Sequence, residues 1–335
     1  MSQRCLAPTA CELDGDCDEG FTCTDEGQCS IGGDCGGFVF EIEAVPPNLL
    51  VLLDRSGSMD GSVSGTSDNR WEVAKQAVGQ VTSAFNTSIR FGLATYSACL
   101  SGGCSAGTIE VPIADDNALS INQFLSNTVG QGSSNGQALD GQGRVQYLCD
   151  SGDPETSTGK SLAAFVGEAS LLDPERQNAI LLITDGSESG ECIDNSIDGP
   201  AGAASLFAQN PPVRTFAVGF VGANEGELAQ IATAGGTDQS YFANDPTMLQ
   251  EALDQIAASV ASCTFSLDQV PPDAAEIYVF FDKDPMGVPN DMGDGWTYDE
   301  ATNSVTFHGA SCEAIQSATV TDIDIVFGCN MPPVG

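Results

Sequence analysis

Two short apolar runs, Leu49-Leu50-Val51-Leu52-Leu53 and Ala179-Ile180-Leu181-Leu182-Ile183-Thr184, each end on an aspartate, Asp54 and Asp185. A run of this kind has no wet side, so as a strand it must be covered on both faces, as happens inside a parallel sheet layered with helices. The intervening segments supply those layers. Trp71, Val73, Ala74, Ala77, Val78, Val81, Ala84 and Phe85 recur at helical spacing, as do Met248, Leu249, Ala252, Leu253, Ile256, Ala257 and Val260. Further strands are expected at Ile89–Tyr96, Val213–Val221 and Tyr241–Phe242, and further helices at Ala118–Phe124, Leu162–Leu171 and Leu228–Ala234. Strands alternating with helices predict an α/β unit over 46–262, a parallel or mostly parallel sheet covered on both faces. Ligands of such sheets bind outside the carboxyl ends of the strands, where both aspartates sit.

The flanks read differently. Cys5, Cys11, Cys17, Cys23, Cys29 and Cys35 fall at strict six-residue steps in a polar stretch. So short and polar a segment cannot bury a sufficient core, so residues 1–35 are expected to form a disulfide-rich module. Zinc would call for closer cysteine pairs, often with histidine, and this stretch has none. Asp14, Asp16 and Asp18 are spaced like the opening of a calcium loop. The glycine falls one place late, at Gly20, and the twelfth position is the short Asp25, so an acidic turn is the expectation. Beyond Cys263 the helical pattern stops. Thr264–Leu267, Glu276–Phe281, Ser304–Phe307 and Ile323–Phe327 read as strands, with a turn-rich connection from Asn290 to Trp296, predicting a small β module over 263–335. Cys263, Cys312 and Cys329 are available to cross-link it. Within the α/β unit, Cys99 and Cys104 could bridge locally, and Cys149, in a long Gly/Ser-rich excursion over 128–155, could staple to Cys192. Thirteen cysteines leave one over, and Cys5 is the candidate.

The chain carries 47 acidic and 10 basic residues, a formal charge of −37, which argues against nucleic acid or an anionic membrane as partner. Its apolar runs are also too short to insert in a bilayer. The cysteines place it in an oxidising compartment, extracellular or at a cell surface. Met1-Ser2-Gln3-Arg4-Cys5 does not read as an export signal, so a longer precursor is expected.

The strongest chemical signal is Asp54-Arg55-Ser56-Gly57-Ser58, placed between a buried strand and a helix. A carboxylate and two hydroxyls alternate on this turn and can converge. Thr156 adds a hydroxyl ahead of another helix, and Asp185 a carboxylate from a second strand end. Asp54, Ser56, Ser58, Thr156 and Asp185 are all hard oxygen donors, the set that suits Mg²⁺, with Mn²⁺ or Ca²⁺ as alternatives. Two carboxylates neutralise a divalent ion and leave it able to accept an anionic oxygen from a partner.

In these residues the sequence resembles the von Willebrand factor type A family, which includes integrin inserted domains and many bacterial surface proteins. The family's metal-ion-dependent adhesion site, Asp-x-Ser-x-Ser followed by Thr and then Asp, matches Asp54, Ser56, Ser58, Thr156 and Asp185. The long excursion before Thr156 leaves Thr158 as an alternative ligand, with motif position favouring Thr156. The resemblance implies a doubly wound α/β fold and cation-dependent, non-enzymatic binding of a protein that offers a carboxylate to the metal. The expected function is that of a secreted or cell-surface adhesion or scaffold protein. The alternative is a structural subunit of a pilus, fibre or surface layer, self-assembling with the metal at an assembly contact. A partner carboxylate must then approach an acidic surface, so the expectation is a locally less acidic rim, to which Arg55 could contribute, a medium that screens the field, or a basic partner using a single acidic finger.

Three other patterns compete for attention. Pro154-Glu155-Thr156-Ser157-Thr158-Gly159-Lys160-Ser161 falls one glycine short of a phosphate-binding loop. Ser157-Thr158-Gly159-Lys160 matches a Ser-x-x-Lys nucleophile pair, but its companion Ser67-Asp68-Asn69 precedes it and the Lys-Thr-Gly element is missing. The single histidine, His308, adjoins a strand end and reads as a packed or surface imidazole.

Overall fold

The computed structural model describes residues 21–23, 29–31, 38–97, 104–127 and 155–327, apart from 41, 194–196, 221, 238, 261, 272, 285, 317–318 and 321. The chain divides into two units. One is Pro46–Ala261; the other joins Met1–Val45 to Ser262–Gly335. In chain order the elements begin with four short strands, β1 (Phe21–Cys23), β2 (Cys29–Ile31), β3 (Phe38–Val39) and β4 (Ile42–Ala44). Strand β1 pairs antiparallel with β2. The cysteine module's pairing, Cys5, and the acidic turn at Asp14, Asp16 and Asp18 lie outside the described residues or rest on side chains that do.

The Pro46–Ala261 unit is the α/β layer structure. It contains β5 (Asn48–Asp54), α1 (Arg70–Ala84), β6 (Arg90–Tyr96), β7 (Thr108–Ala114), α2 (Ala118–Asn127), α3 (Thr158–Ala163), β8 (Asn178–Thr184), α4 (Gly199–Phe207), β9 (Val213–Phe220), α5 (Glu225–Ala234), β10 (Ser240–Ala243) and α6 (Pro246–Val260). The six strands run in the order β10-β9-β8-β5-β6-β7. All neighbours are parallel except β7, which pairs antiparallel with β6 at one edge. Pro112 inside β7 fits this edge position, since a proline has no N–H to give a further strand.

The apolar runs are buried on both faces, and their alternation sorts them. Leu49, Val51 and Leu53 join one core with Trp71, Val78, Leu253 and Ile256. Leu50 and Leu52 join the opposite core with Leu162, Leu206 and Ile231. The period of two sends successive side chains to opposite sides of the sheet, so a run with no polar interruption needs helices on both. From β5 the chain winds one way to β6 and the other way to β8, which makes the gap between β5 and β8 the topological switch point. Leu53 lies opposite Ile183 in that pairing, so Asp54 and Asp185 emerge side by side there.

Several expectations are corrected. The helix expected at Leu162–Leu171 starts earlier and ends at Ala163; Gly167 takes φ +82°, and a separate 3₁₀ turn covers Ala169–Leu171. Leu162, Phe165 and Leu171 are all buried, so their spacing reported burial and not one continuous helix. The Cys149–Cys192 staple and the local Cys99–Cys104 bridge are excluded, because Cys104 is bonded to Cys192. The start of β7 and the loop after β8 lie at the same end of the sheet, which brings these two together. Cys99, Cys149 and most of the excursion lie outside the described residues.

The second unit contains β11 (Thr264–Leu267), β12 (Ile277–Phe281), β13 (Trp296–Asp299), β14 (Ser304–Phe307), α7 (Gly309–Gln316) and β15 (Ile323–Phe327). It has two antiparallel sheets, β13-β14-β11-β4 and β12-β15-β3. Strands from before the α/β unit thus complete sheets formed after it. Phe40, Trp296, Val305, Phe307 and Ile325 form their core. Cys263 is bonded to Cys312, which pins α7 to the strand module. That helix corrects the reading that helices stop at Cys263. Ser311 is its one buried residue, so it leaves little apolar periodicity to detect. Cys329 lies outside the described residues. Among them, no helix is long and apolar enough to cross a membrane.

Candidate functional site

At the β5 end, Asp54 is fully buried and both of its carboxylate oxygens are held. Oδ1 accepts from the Ser56 N–H at 2.7 Å, and Oδ2 accepts from the Thr184 hydroxyl at 2.6 Å. The turn that follows is a 3₁₀ segment, Gly57–Asp60, which aims the alternate hydroxyls of Ser56 and Ser58 the same way. Their oxygens lie 3.0 Å apart. The Ser58 hydroxyl then donates to Asp185 Oδ1 at 2.7 Å. Asp54, Ser56, Ser58 and Asp185 therefore form one connected set across two neighbouring strand ends.

Thr156 reaches the set from a third segment. A Cβ placed on Gly186 would lie 3.6 Å from Thr156 Oγ1 and 3.7 Å from Ser58 Oγ, so both hydroxyls flank the same bare glycine. Thr156 is fixed by reciprocal bonds with Ser189: its N–H donates to Ser189 Oγ at 3.1 Å, and the Ser189 N–H donates to its carbonyl at 2.9 Å. Thr158 turns elsewhere, with its hydroxyl 3.4 Å from the Tyr96 phenol. The geometry brings Thr156 to the set and not Thr158.

The electrostatics are those of an under-compensated anionic centre. Burial, with the Asp185 charge adding to it, pushes the Asp54 carboxyl from 3.8 up to about 6, against the pull of its hydrogen bonds. Burial and then the Asp54 charge hold the Tyr96 phenol well above 10. Among the described residues no three His, Cys, Asp or Glu side chains are grouped to hold a metal, so any cation here depends on hydroxyls as well as carboxylates. The oxygen-only donor set and the dehydrated Asp54 fit a hard divalent cation.

Sequence reasoning missed four contributors. Arg70, at the start of α1, donates from its guanidinium to Asp185 Oδ2 at 2.5 Å and to the Ser58 carbonyl at 3.3 Å. Thr184 and Ser189 orient Asp54 and Thr156. Glu188 accepts from the Gly159 N–H at 2.8 Å and the Gly199 N–H at 2.7 Å, tying the loop after β8 to the starts of two helices. Burial raises its carboxyl despite those bonds. The scarcity of cations in so acidic a chain was the available signal for Arg70. Arg55, expected to temper the acidic rim, is instead fully buried over the Trp71 ring at 5.5 Å. The competing patterns also resolve. Asn69 caps α1 by accepting from the Glu72 N–H at 2.9 Å. The start of α3 is already occupied by the Glu188 carboxylate, and His308 bonds to the Thr297 hydroxyl at 2.7 Å.

The family model for the von Willebrand factor type A domain matches residues 48–255. No curated protein is a significant sequence match. Among solved structures, proximal thread matrix protein 1 from the mussel byssus aligns at 19% identity and TM-score 0.45, over 65% of this chain and 49% of that one. This chain thus spans about half the length of the mussel protein, a further structure of which is described with a zinc-occupied MIDAS motif. The PilB minor pilin of Streptococcus sanguinis aligns at 11% identity and TM-score 0.45, over 64% of this chain and 61% of that one. A von Willebrand factor type A protein from Catenulispora acidiphila aligns at 13% identity and TM-score 0.43, over 91% of this chain and 67% of that one.

Proposed function

This chain belongs to the von Willebrand factor type A family, and from that premise we propose that it is a secreted or cell-surface adhesion or scaffold protein. It binds a protein partner, or an acidic polymer, through a divalent cation held by Asp54, Ser56, Ser58, Thr156 and Asp185. The role is binding and not catalysis. The observation that carries the reading is the meeting of Asp54, Ser56, Ser58 and Asp185 in one hydrogen-bonded set, with the Thr156 hydroxyl beside Gly186.

A cation bound there supplies a Lewis-acidic position for an incoming carboxylate. The protein's own residues do the rest. Asp54 brings a dehydrated negative charge, costly alone and favourable beside a cation. Ser56 and Ser58 offer neutral oxygens, which add coordination without further charge. Mg²⁺ suits a small oxygen set with few carboxylates, and Mn²⁺ or Ca²⁺ are alternatives. The disulfides Cys104–Cys192 and Cys263–Cys312 support an oxidising, extracellular location.

The test is a titration of Mg²⁺, Mn²⁺ and Ca²⁺ against thermal stability. A cation at 100 times its Kd adds about 2.7 kcal/mol. No shift in the wild type, or an equal shift in Asp54→Ala, overturns the reading. Capture of a partner from the native surface, lost on adding chelator, tests the adhesive role. Polymers of this chain that dissolve in chelator would instead assign the cation to an assembly contact.

A further inference from the structure

Asp185 has both carboxylate oxygens engaged, Oδ1 by Ser58 and Oδ2 by Arg70. The second bond is unusual in what surrounds it. Asp185 is fully buried while the Arg70 side chain keeps 19% of its exposure, so the guanidinium comes in from the rim. It lies against two bare glycines. A Cβ on Gly61 would come within 2.9 Å of Arg70 Cζ, and one on Gly222, at φ +102°, within 3.4 Å of Nη2. Its bonds go to Asp185 and to the Ser58 carbonyl, that is, to two residues of the donor set. Its Nε is buried without a hydrogen-bond partner among the described residues. A guanidinium seated this way puts charge on the site without being saturated as a structural bridge.

We propose that Arg70 is a built-in counter-ion that sets the strength of the cation site: it neutralises one of the two carboxylates, weakens cation binding, and leaves the loaded site net positive towards an anionic partner. This rests on the reading of Asp54, Ser56, Ser58, Thr156 and Asp185 as cation ligands. With both carboxylates ionised the set carries two negative charges, which would bring a divalent ion to neutrality. With Arg70 included the set carries one, and the loaded site keeps a positive charge. In an acidic chain, that residual charge is what draws in a partner carboxylate.

The direction of the effect separates this proposal from a structural role. If Arg70 only propped Asp185 in place, removing it would disorder a ligand and weaken the cation. If it acts as counter-ion, Arg70→Gln removes a repulsion and tightens Mg²⁺ by at least about tenfold, the floor set by one charge facing a divalent ion at short range even in a water-like dielectric. Isothermal titration of the full chain with Mg²⁺ alone, after chelator treatment, reads this directly. Arg70→Lys keeps the charge and should stay close to the wild-type affinity. Should Arg70→Gln fail to fold, Gly61→Ala crowds the guanidinium out of its seat and should also tighten Mg²⁺. Unchanged or weaker affinity in Arg70→Gln, or an equal change in Arg70→Lys, overturns the proposal while the site itself stands, provided Asp54→Ala abolishes binding. Absence of Mg²⁺ binding in the wild type overturns both.

Discussion

Replacing Asp54 by Asn tests the site through stability, and the expected sign is counter-intuitive. Asp54 is fully buried, and its carboxyl is raised from 3.8 to about 6, so the metal-free fold must hold it ionised at pH 7 against its preference. With about 1.36 kcal/mol per pH unit, that costs the metal-free protein about 3 kcal/mol. The sign follows from proton uptake. Between the two values the folded state binds a proton that the unfolded state does not, so the gain from protonation is full below 3.8 and is lost as pH rises through 6. Asn carries no charge to dehydrate. It keeps an acceptor for the Ser56 N–H but turns an amide towards the Thr184 hydroxyl, a mismatch of about 1 kcal/mol. In chelator at pH 7, Asp54→Asn should therefore be more stable than wild type by about 2 kcal/mol, or about 6 °C in Tm for a unit of this size. Urea titration is the suitable assay, since a neutral denaturant leaves electrostatics unscreened. Repeated near pH 4, the advantage should vanish, and saturating Mg²⁺ at pH 7 should stabilise the wild type alone. A variant no more stable than wild type in chelator at pH 7, or an advantage that persists unchanged at pH 4, would refute the reasoning.

Other consequences are more direct. Cation affinity of the wild type should fall as pH drops through about 6, because protonation of Asp54 competes with the ion; calorimetry across pH 5–8 checks it. Thr156→Val should weaken Mg²⁺ by about tenfold, the order of one lost polar contact, while Thr158→Val leaves the affinity unchanged. Gly159→Ala should cost about 3 kcal/mol, because its Cβ would collide with the Asp198 backbone, which cannot rotate away as a side chain could. Cys104→Ser with Cys192→Ser opens a bridge spanning 88 residues and should lower stability by about 4.6 kcal/mol on the chain-entropy estimate, measurable by urea titration.

The α/β architecture was legible because its signals are strong and local. The runs at Leu49–Leu53 and Ala179–Thr184 could not be partly exposed, and the helical stripes in α1 and α6 carry apolar residues at unbroken spacing. Strand β7 was not legible, since Pro112 and exposed positions dilute it, nor α4, whose Gly and Ala residues give no amphipathic face. Helix α3 was placed too late because Leu162, Phe165 and Leu171 mark burial, which a turn and a 3₁₀ segment satisfy as well as a helix does.

For the site, the order Asp54, Ser56, Ser58, Thr156, Asp185 was in the sequence, because each donor type and its place after a strand or before a helix is a local property. The contacts among them were not. Ser58 meeting Asp185, Thr156 instead of Thr158 reaching that pair, Cys104 taking Cys192, and Arg70 rather than Arg55 standing as the site's cation all join residues far apart in the chain. Those pairings follow from the sheet, which sets the ends of β5 and β8 side by side at the switch point and the start of antiparallel β7 at the same end. Chain order states which chemical groups are present; the sheet decides which of them share a few ångströms, and electrostatic and coordination energies depend on that separation.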